Sequence, residues 1–344
     1  MPRFARLSGL MPHAPARLRD RVFILPLVVI AVFVAVITYG ALRLPGGYDG
    51  TNGPNTFFAL IAVVWTLAIV TRRVQPDSRL AGAVEVLALF FALSILAAFS
   101  SASLAIGSGP YIDASLAAMD RALVPFLDWQ ALVRWLPENP RAYYGLSLIY
   151  DTLNWQPFVL IVATAIFGQA GDQERFISAW AVGLALCILP FHWFPALSPY
   201  NYYAIPPEDM AGVSVAMPWH FLPIMEGLRD GTIQQLSIDT VSGMVTIPSF
   251  HAAAATILGA SFWRLRLLRW PMLVLNVGMA VAAIPIGSHY VVDIIAGVAC
   301  GALAVALSAA WTANRSGENA TRRPVPHGYA SDGPGLTRWA PLPR

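Results

Sequence analysis

The chain has 344 residues, of which 57% are hydrophobic and only 12% are charged. A soluble globular domain carries about 25% charged residues, roughly twice this fraction. The composition therefore excludes an ordinary soluble domain and indicates an integral membrane protein. The formal net charge is +3, and every basic residue is an arginine. These arginines form no patch interleaved with aromatic side chains, so nucleic-acid binding is not expected.

Apolar runs of about 20 residues recur along the chain, which is the length needed to cross a bilayer core of about 30 Å. We predict an all-α, polytopic membrane helix bundle with about eight transmembrane helices. The first run is longer than the core of a signal peptide and no cleavage site follows it, so we expect a retained span. The predicted spans are 22–44, 55–71, 80–106, 146–168, 175–195, 248–264, 270–287 and 289–312.

The distribution of arginines predicts the orientation of these spans, because cytoplasmic loops are enriched in basic residues. With both chain ends in the cytoplasm, the outer loops hold only Arg43, Arg121, Arg134, Arg141 and Arg229. We therefore expect a multi-pass protein of the cell (plasma) membrane. The arginines expected on the cytoplasmic side are Arg3, Arg6, Arg17, Arg19, Arg21, Arg72, Arg73, Arg79, Arg175, Arg264, Arg266, Arg269, Arg315, Arg322, Arg323, Arg338 and Arg344.

Two outer segments are not predicted to span. Residues 112–136 mix apolar and charged positions at helical spacing, which favours a helix lying on the outer surface. Residues 196–246 form a long outer loop rich in proline and aromatic residues. Loops of this length in a compact protein usually have a function, such as covering or binding a ligand.

Two histidines are predicted to meet at the outer ends of two parallel spans. His251, in "TIPSFHAAAA", opens the sixth span, and His289, in "GSHYVVD", opens the eighth. Asp293 follows four residues after His289, on the same predicted helix face. A carboxylate there fixes the imidazole tautomer and leaves the other ring nitrogen free to attack. The alternative is a structural polar pair, but ionisable groups inside a membrane are expensive and are usually functional.

The helix starts beside these histidines are suited to a bound phosphate, because unpaired N–H groups and the helix dipole favour an anion. Gly287 permits close approach of a ligand to the backbone. Ser288 and Ser249 are candidate helix caps or phosphate donors. We therefore expect a phosphate-binding site at the outer ends of the sixth and eighth spans.

The sequences "PSFHAA" and "GSHYVVDIIAG" resemble two signature motifs of the type-2 phosphatidic acid phosphatase superfamily. The resemblance implies a six-helix catalytic core and a metal-independent enzyme acting on lipid-linked phosphate. It implies that His289 attacks phosphorus and forms a phosphohistidine, that Asp293 orients it, and that His251 protonates the leaving group. No cofactor is expected, and we find no metal-ligand cluster in the sequence.

The resemblance divides the chain into four parts. Residues 1–21 are expected to be a cytoplasmic N-terminal segment, and residues 22–79 two extra N-terminal spans. Residues 80–312 are expected to be the phosphatidic acid phosphatase-like catalytic core. Residues 313–344 are expected to be a disordered cytoplasmic tail, since they are rich in glycine, proline and arginine.

Departures from the phosphatase pattern favour a transferase. Phosphatase members carry Ser-Arg where this chain has Ala282 and Ala283, and they carry an upstream Lys-x6-Arg-Pro motif that a chain without lysine lacks. In these departures, and in the segment "FPALSPYNYY" (194–203), the chain is similar to the inositol phosphorylceramide synthases. That branch implies a lipid phosphotransferase, an inositolphosphotransferase-like enzyme with a lipid phosphate or phospholipid as its substrate.

The residues that bind the substrate are less clearly marked. Arg134 and Arg141 are spaced as in the missing motif, and either they contact the phosphate or they are solvated loop residues. Tyr150 and Asp151 open the fourth span, and either they bind hydroxyl groups of the acceptor or they pair with neighbouring helices.

Two other functions remain open at this point. The same core with water as acceptor is a lipid phosphate phosphatase. A transporter that uses histidine and aspartate as proton relays is a further alternative, but the chain shows no inverted repeat. The partners expected are the membrane and the lipid substrate, and the oligomeric state is left open.

Overall fold

The computed structural model describes residues 23–49, 54–76, 78–169, 171–210, 218–237, 240 and 244–321. These residues form thirteen α-helices and two strands of two residues each, so the prediction of an all-α fold is confirmed. The predicted N-terminal segment 1–21 lies outside the described residues, and so does the predicted tail beyond residue 321.

The helices and strands follow one another in this order: α1 (Ile24–Arg43), β1 (Gly47–Tyr48), α2 (Pro54–Val74), α3 (Arg79–Ala105), α4 (Asp113–Leu123), α5 (Trp129–Glu138), α6 (Pro140–Tyr150), α7 (Gln156–Phe167), α8 (Asp172–Ile188), α9 (Pro199–Tyr202), α10 (Pro218–Asp230), β2 (Gln235–Leu236), α11 (Phe250–Phe262), α12 (Arg269–Ala282) and α13 (Val291–Thr321). Short 3-10 turns follow α6, α8 and α9.

Within the described residues, four helical segments are long and apolar enough to cross a bilayer, namely Ile24–Arg43, Arg79–Ala105, Asp172–His192 and Val291–Ala313. The helices α7 and α11 are also apolar, with 12 and 13 residues. Many large apolar side chains face outward on these helices, which is expected where the surrounding solvent is lipid. The chain is therefore a multi-pass membrane protein.

The centre of the bundle is formed by α8, α11 and α13, which pack against one another. α12, which connects α11 to α13 along the chain, packs against α11 and α6, and α3 packs against α7 and α8. α1 and α2 both pack on α3. The first two helices thus add to the bundle from the side of α3.

The predicted fourth span, 146–168, is broken in the structure. α6 ends at Tyr150, a 3-10 turn covers Asp151–Asn154, and α7 begins at Gln156. Pro157 explains the break, because a proline has no N–H to donate and its ring clashes with the carbonyl four residues earlier. The break leaves Tyr150, Asp151 and Asn154 lining a cavity, with Asp151 and Asn154 also exposed to solvent.

The outer segments are more ordered than predicted. Residues 112–136 form two helices, α4 and α5, which are separated around Pro125. α4 is not simply a surface helix, because Asp113, Leu116, Ala117 and Asp120 on one of its faces are buried. The predicted outer loop 196–246 contains α9, α10 and β2.

α13 continues to Thr321, nine residues into the predicted tail that starts at 313.

A short parallel pairing of β1 with β2 joins two distant parts of the chain. Gly47 pairs with Gln235, and Tyr48 pairs with Leu236. The chain that leaves α1 is thereby held beside the segment that leads into α11. Both segments therefore lie at the same end of the bundle, as expected for two outer loops.

Two glycines of α13 allow α11 to approach it very closely. A Cβ atom added at Gly297 would overlap the carbonyl oxygen of Ser249, and one added at Gly301 would lie 2.6 Å from that of Ala253. Small residues of this kind let helix backbones approach in a membrane, where van der Waals packing drives association. The close contact brings the N-terminal ends of these two parallel helices together.

We expect Gly297→Ala to force α11 and α13 apart and to destabilise the protein by roughly 1–3 kcal/mol, as overpacking does elsewhere. Thermal unfolding of the detergent-solubilised protein measures this effect. The matched control is Gly145→Ala in α6, where an added Cβ meets nothing within 4 Å. Equal melting temperatures for the two variants would contradict the close packing.

Candidate functional site

The N-terminal ends of α11 and α13 face a cavity of about 620 Å³. α3 and α8 form its other walls, together with the turn after α6 and the segments around residues 197 and 245. The described residues that line it include no arginine. The lining residues are Ser94, Ala97, Ala98, Ser101, Tyr150, Asp151, Asn154, Leu184, Ile188, Leu197, Ser198, Phe221, Met244, Val245, Thr246, Phe250, His251, Gly287, Ser288 and His289.

His289 lines the cavity with its ring held from behind by Asp293. The Nδ1 atom of His289 lies 3.4 Å from Oδ2 of Asp293, and both side chains are buried. The same Oδ2 atom accepts a hydrogen bond of 2.9 Å from the backbone N–H of Tyr290. Since Nδ1 faces the carboxylate, Nε2 is the nitrogen available for a group in the cavity.

The sequence predicted that both residues lie on one helix, and this prediction is wrong. α13 begins at Val291, so His289 precedes the helix and Asp293 lies in its first turn. The pair still forms, because the carboxylate reaches back over the helix start, as a side chain in a helix cap does.

His251 is the second histidine of the cavity, in the first turn of α11. Its ring stacks on Tyr150, with ring centroids 4.0 Å apart and planes inclined by 14°. The hydroxyl of Tyr150 lies 3.3 Å from Nδ1 of His251. Tyr150, predicted as a substrate-binding residue, therefore contacts His251 directly.

Backbone contacts fix the two histidine segments relative to each other. The N–H of Ser249 donates to the carbonyl oxygen of Asp293 at 3.0 Å, directly before α11 begins. The Ser249 side chain is buried and caps α11 by accepting from the N–H of Ala252 at 3.4 Å. Ser249 is thus a helix cap, and it does not line the cavity. The prediction that two distant motifs meet in space agrees with this arrangement.

The N-terminus of α13 is not free to bind an anion, contrary to the sequence prediction. The N–H groups of Val291 and Val292 each donate at 2.9 Å to the carboxylate of Asp120, which belongs to α4. A carboxylate from another helix therefore already occupies the position that the phosphate was expected to take. The prediction failed because nothing in the sequence places α4 at this helix start.

The residues before His289 approach the cavity closely. A Cβ atom added at Gly287 would lie 2.9 Å from Cε2 of Tyr150, so only glycine fits there. Ser288 has a positive φ of 62°, which a residue with a side chain rarely adopts. Its hydroxyl is buried and has no hydrogen-bond partner. Gly287 and Ser288 therefore both lie where the sequence placed them, at the cavity.

The two predicted arginines do not line the cavity. Arg134 lies on α5 and Arg141 at the start of α6, and both are exposed. Asp151 does line the cavity and is also exposed to solvent. Among the described residues, no group of three or more histidine, cysteine or acidic side chains is placed to hold a metal ion.

Sequence reasoning missed several residues around the site. Ser94 and Ser101 of α3 line the cavity seven residues apart, but they look like ordinary small residues of an apolar span. Asp113 and Asp120 of α4 are also seven apart, and both are buried. Two acidic residues at that spacing on an amphipathic helix share a face, and this signal was available in the sequence.

Asp113 connects the two sides of the cavity. It accepts hydrogen bonds from the N–H groups of Leu197 and Ser198 and from the hydroxyl of Tyr290. Burial raises the pKa of the Asp113 carboxyl above its usual value, although these donors oppose the rise. Leu197 and Ser198 line the cavity, and Tyr290 adjoins His289.

Comparison with known proteins identifies one family. A family model of the PAP2 superfamily matches residues 114–307, which is more than half of the chain. No curated protein and no solved structure matches the chain. The matched range contains both histidines, while α3 and its part of the cavity wall precede it.

We expect Ser288→Gly to stabilise the protein by up to about 1 kcal/mol, because glycine adopts a positive φ without steric cost and no hydrogen bond is lost. The matched control is Ser147→Gly, which removes another buried hydroxyl without a partner. Ser147 lies inside α6, where glycine costs about 0.5–1 kcal/mol relative to alanine. Melting temperatures should therefore shift in opposite directions, and a loss of stability in both variants would contradict the strain at Ser288.

Proposed function

The chain belongs to the PAP2 superfamily, and from that premise we propose that it is a metal-independent membrane lipid phosphotransferase that works through a phosphohistidine. Its membership of this superfamily supports an enzyme of the lipid phosphatase and phosphotransferase type. The choice of transferase, the intermediate and the roles of single residues are our proposal.

One observation carries the proposal. His289 and His251 line the same cavity from the starts of two helices that pack against each other. Asp293 lies behind Nδ1 of His289, so Nε2 is left to act as the nucleophile. A nucleophile, the residue that orients it and a second proton-carrying residue are the groups that covalent phosphoryl transfer requires.

The proposed reaction has two steps. Nε2 of His289 bonds to phosphorus as the bond to the leaving oxygen breaks, and that oxygen takes the electron pair and a proton from His251. An acceptor hydroxyl oxygen then attacks phosphorus while His251 takes its proton. The nitrogen–phosphorus bond breaks and its electron pair returns to His289, which restores the enzyme. Asp293 stabilises the charge that develops on the imidazole in both steps.

The charge of the cavity favours a phosphodiester as the donor. A phosphate monoester carries close to two negative charges at neutral pH, and binding sites usually neutralise them with cations. The described lining residues include no arginine, and Ala282 and Ala283 are buried at the end of α12. A phosphodiester carries only one negative charge, so it needs less neutralisation in a cavity whose described lining has no arginine. Phospholipids that carry a headgroup alcohol are diesters, in agreement with the resemblance to the inositol phosphorylceramide synthases.

The size and lining of the cavity favour an alcohol as the acceptor. About 620 Å³ is in the range of sites for small organic ligands and exceeds the space that water and a phosphate require. Ser94, Asn154, Asp151 and Thr246 add hydroxyl, amide and carboxylate groups to its walls. Groups of this kind bind the hydroxyls of a polar headgroup.

The arginines support an outward-facing cavity. The described arginines at the end of the bundle away from the cavity are Arg72, Arg73, Arg79, Arg175, Arg264, Arg266 and Arg269. Since arginine-rich ends lie in the cytoplasm, we propose that the cavity opens on the extracytoplasmic side. We further propose that α1 and α2 are additions to a catalytic core that begins near α3.

We expect His289→Ala to reduce turnover of the lipid donor by at least about 10³-fold, because the nucleophile is lost. Asp293→Asn should also abolish most turnover, since an amide cannot stabilise the imidazolium in the same way. The control is His220→Ala, because His220 lies exposed on α10 and does not line the cavity. Turnover by the purified protein in lipid vesicles measures the effect. Full activity in both site variants would refute the proposed roles.

The product distinguishes a transferase from a phosphatase. Purified protein is incubated with a labelled phosphodiester lipid or a labelled lipid monophosphate, each with and without a lipid alcohol. We expect label to appear on the alcohol, with the diester as the better donor. Label released only into water, equally with and without alcohol, would establish the phosphatase instead.

Cysteine labelling tests the orientation. In a variant with Cys187 and Cys300 replaced by alanine, Gln234→Cys places a thiol at the cavity end and Gln75→Cys places one at the opposite end. We expect an impermeant maleimide to label Gln234→Cys in intact cells and Gln75→Cys only after permeabilisation. The reverse pattern would mean that the cavity faces the cytoplasm.

A further inference from the structure

We propose that Asp113 and Asp120 of α4 are positioning residues that hold the segment bearing His289 against the cavity. This inference rests on the proposed role of His289 as nucleophile. It assigns a task to a helix that lies outside the two histidine motifs. The observation behind it is that both carboxylates bind residues next to His289, and that neither side chain lines the cavity.

Asp120 fixes the start of α13. Its Oδ2 atom accepts from the N–H of Val291 and its Oδ1 atom from the N–H of Val292, each at 2.9 Å. Both oxygens of one carboxylate are therefore used on adjacent backbone groups, two and three residues after His289. The negative charge also lies at the positive end of the α13 dipole, which favours this arrangement.

Asp113 links the residue next to His289 to the part of the cavity wall formed by Leu197 and Ser198. Its Oδ1 atom accepts from the hydroxyl of Tyr290 at 3.1 Å and from the N–H of Ser198 at 3.1 Å. Its Oδ2 atom accepts from the N–H of Leu197 at 3.0 Å. A single buried side chain thus sets the distance between the segment containing His289 and the wall formed by Leu197 and Ser198.

The backbone before His289 requires such support. Ser288 has a positive φ of 62°, and its hydroxyl has no partner that would stabilise this conformation. Strained backbone persists only where the surroundings hold it in place, and it clusters at functional sites. The residues on the C-terminal side of His289 are held by α4, which leaves the loop between α12 and α13 little freedom to relax.

The carboxylates bind backbone and hydroxyl groups instead of basic side chains. In the part of the chain that the structure describes, no ion pair joins Asp113 or Asp120 to an arginine. Both are nearly fully buried, with exposed fractions of 5% and 3%. Burial of an unpaired charge is costly, and a neutral cap would complete a helix start more cheaply. A positioning role accounts for the retained charges, because a carboxylate accepts two amides at once.

The test compares Asp120→Asn with Asp128→Asn. Asp128 is the control for the chemical change alone, because Oδ1 of its carboxylate accepts the N–H groups of both Gln130 and Ala131 at the start of α5, far from His289 in the chain. An asparagine retains only one acceptor oxygen, so Asp120→Asn loses one of its two amide contacts, whereas Asp128→Asn can keep both on its single oxygen. Only Asp120→Asn loosens the segment of His289. We expect the kcat of Asp120→Asn to fall about 10- to 100-fold, while its KM stays within about two-fold of the value for the unmodified chain. A misplaced reacting group has this effect. Asp128→Asn should leave both constants unchanged.

A second measurement does not depend on turnover. Diethyl pyrocarbonate modifies accessible imidazoles, and mass spectrometry gives the rate for each histidine of the intact, folded protein. We expect the rate at His289 to change by at least about five-fold in Asp120→Asn, in line with a displaced side chain, while the rate at the exposed His220 stays constant. Melting temperatures of the two aspartate variants show that both remain folded.

Two results would overturn the positioning role. One is a His289 modification rate in Asp120→Asn equal to that of the unmodified chain, and the other is the same change in Asp128→Asn. If the unmodified chain transfers phosphate from no lipid, the proposed function fails, while the modification rates still decide whether α4 positions His289.

Discussion

The close approach of α11 and α13 is the constraint on which the site depends. Gly297 and Gly301 leave no side chain between the two helices, so their backbones touch near Ser249 and Ala253. The N–H of Ser249 then reaches the carbonyl of Asp293 and locks the two helix starts in register. Side chains that are 38 residues apart in sequence thereby face one cavity. A bulkier residue at Gly297 or Gly301 would therefore move the segments of the two histidines apart.

The charges around the site follow a consistent arrangement. Acidic side chains lie beside the segment of His289, where they accept hydrogen bonds from backbone N–H groups and from the hydroxyl of Tyr290. The described residues facing the cavity itself include two histidines and no arginine. Among the described lining residues, the solvent-exposed Asp151 is thus the one with a permanent charge.

Much of the bundle could be predicted from the sequence, because hydrophobic run length follows directly from bilayer thickness. The approximate positions of the helices and the meeting of the segments of His251 and His289 were accessible in this way. The break at Asp151–Asn154 was not recognised, although Pro157 indicates it. The capping of the start of α13 by Asp120 of α4 could not be predicted, because hydropathy describes single helices and not the contacts between them. For Tyr150 the sequence left open whether it binds the acceptor or pairs with a neighbouring helix, because its stacking on His251 depends on the fold around that break.

The wall contributed by α3 has a consequence for the evolution of specificity. Ser94, Ala97, Ala98 and Ser101 all lie before residue 114, where the family match begins. Substitutions at these four positions change the shape of the cavity and leave the two histidines and the aspartates next to them unchanged. The helix that carries these four residues is braced from outside by α1 and α2. Evolution can therefore reshape the part of the cavity wall that α3 forms, while the two histidines on the rest of the wall stay constant.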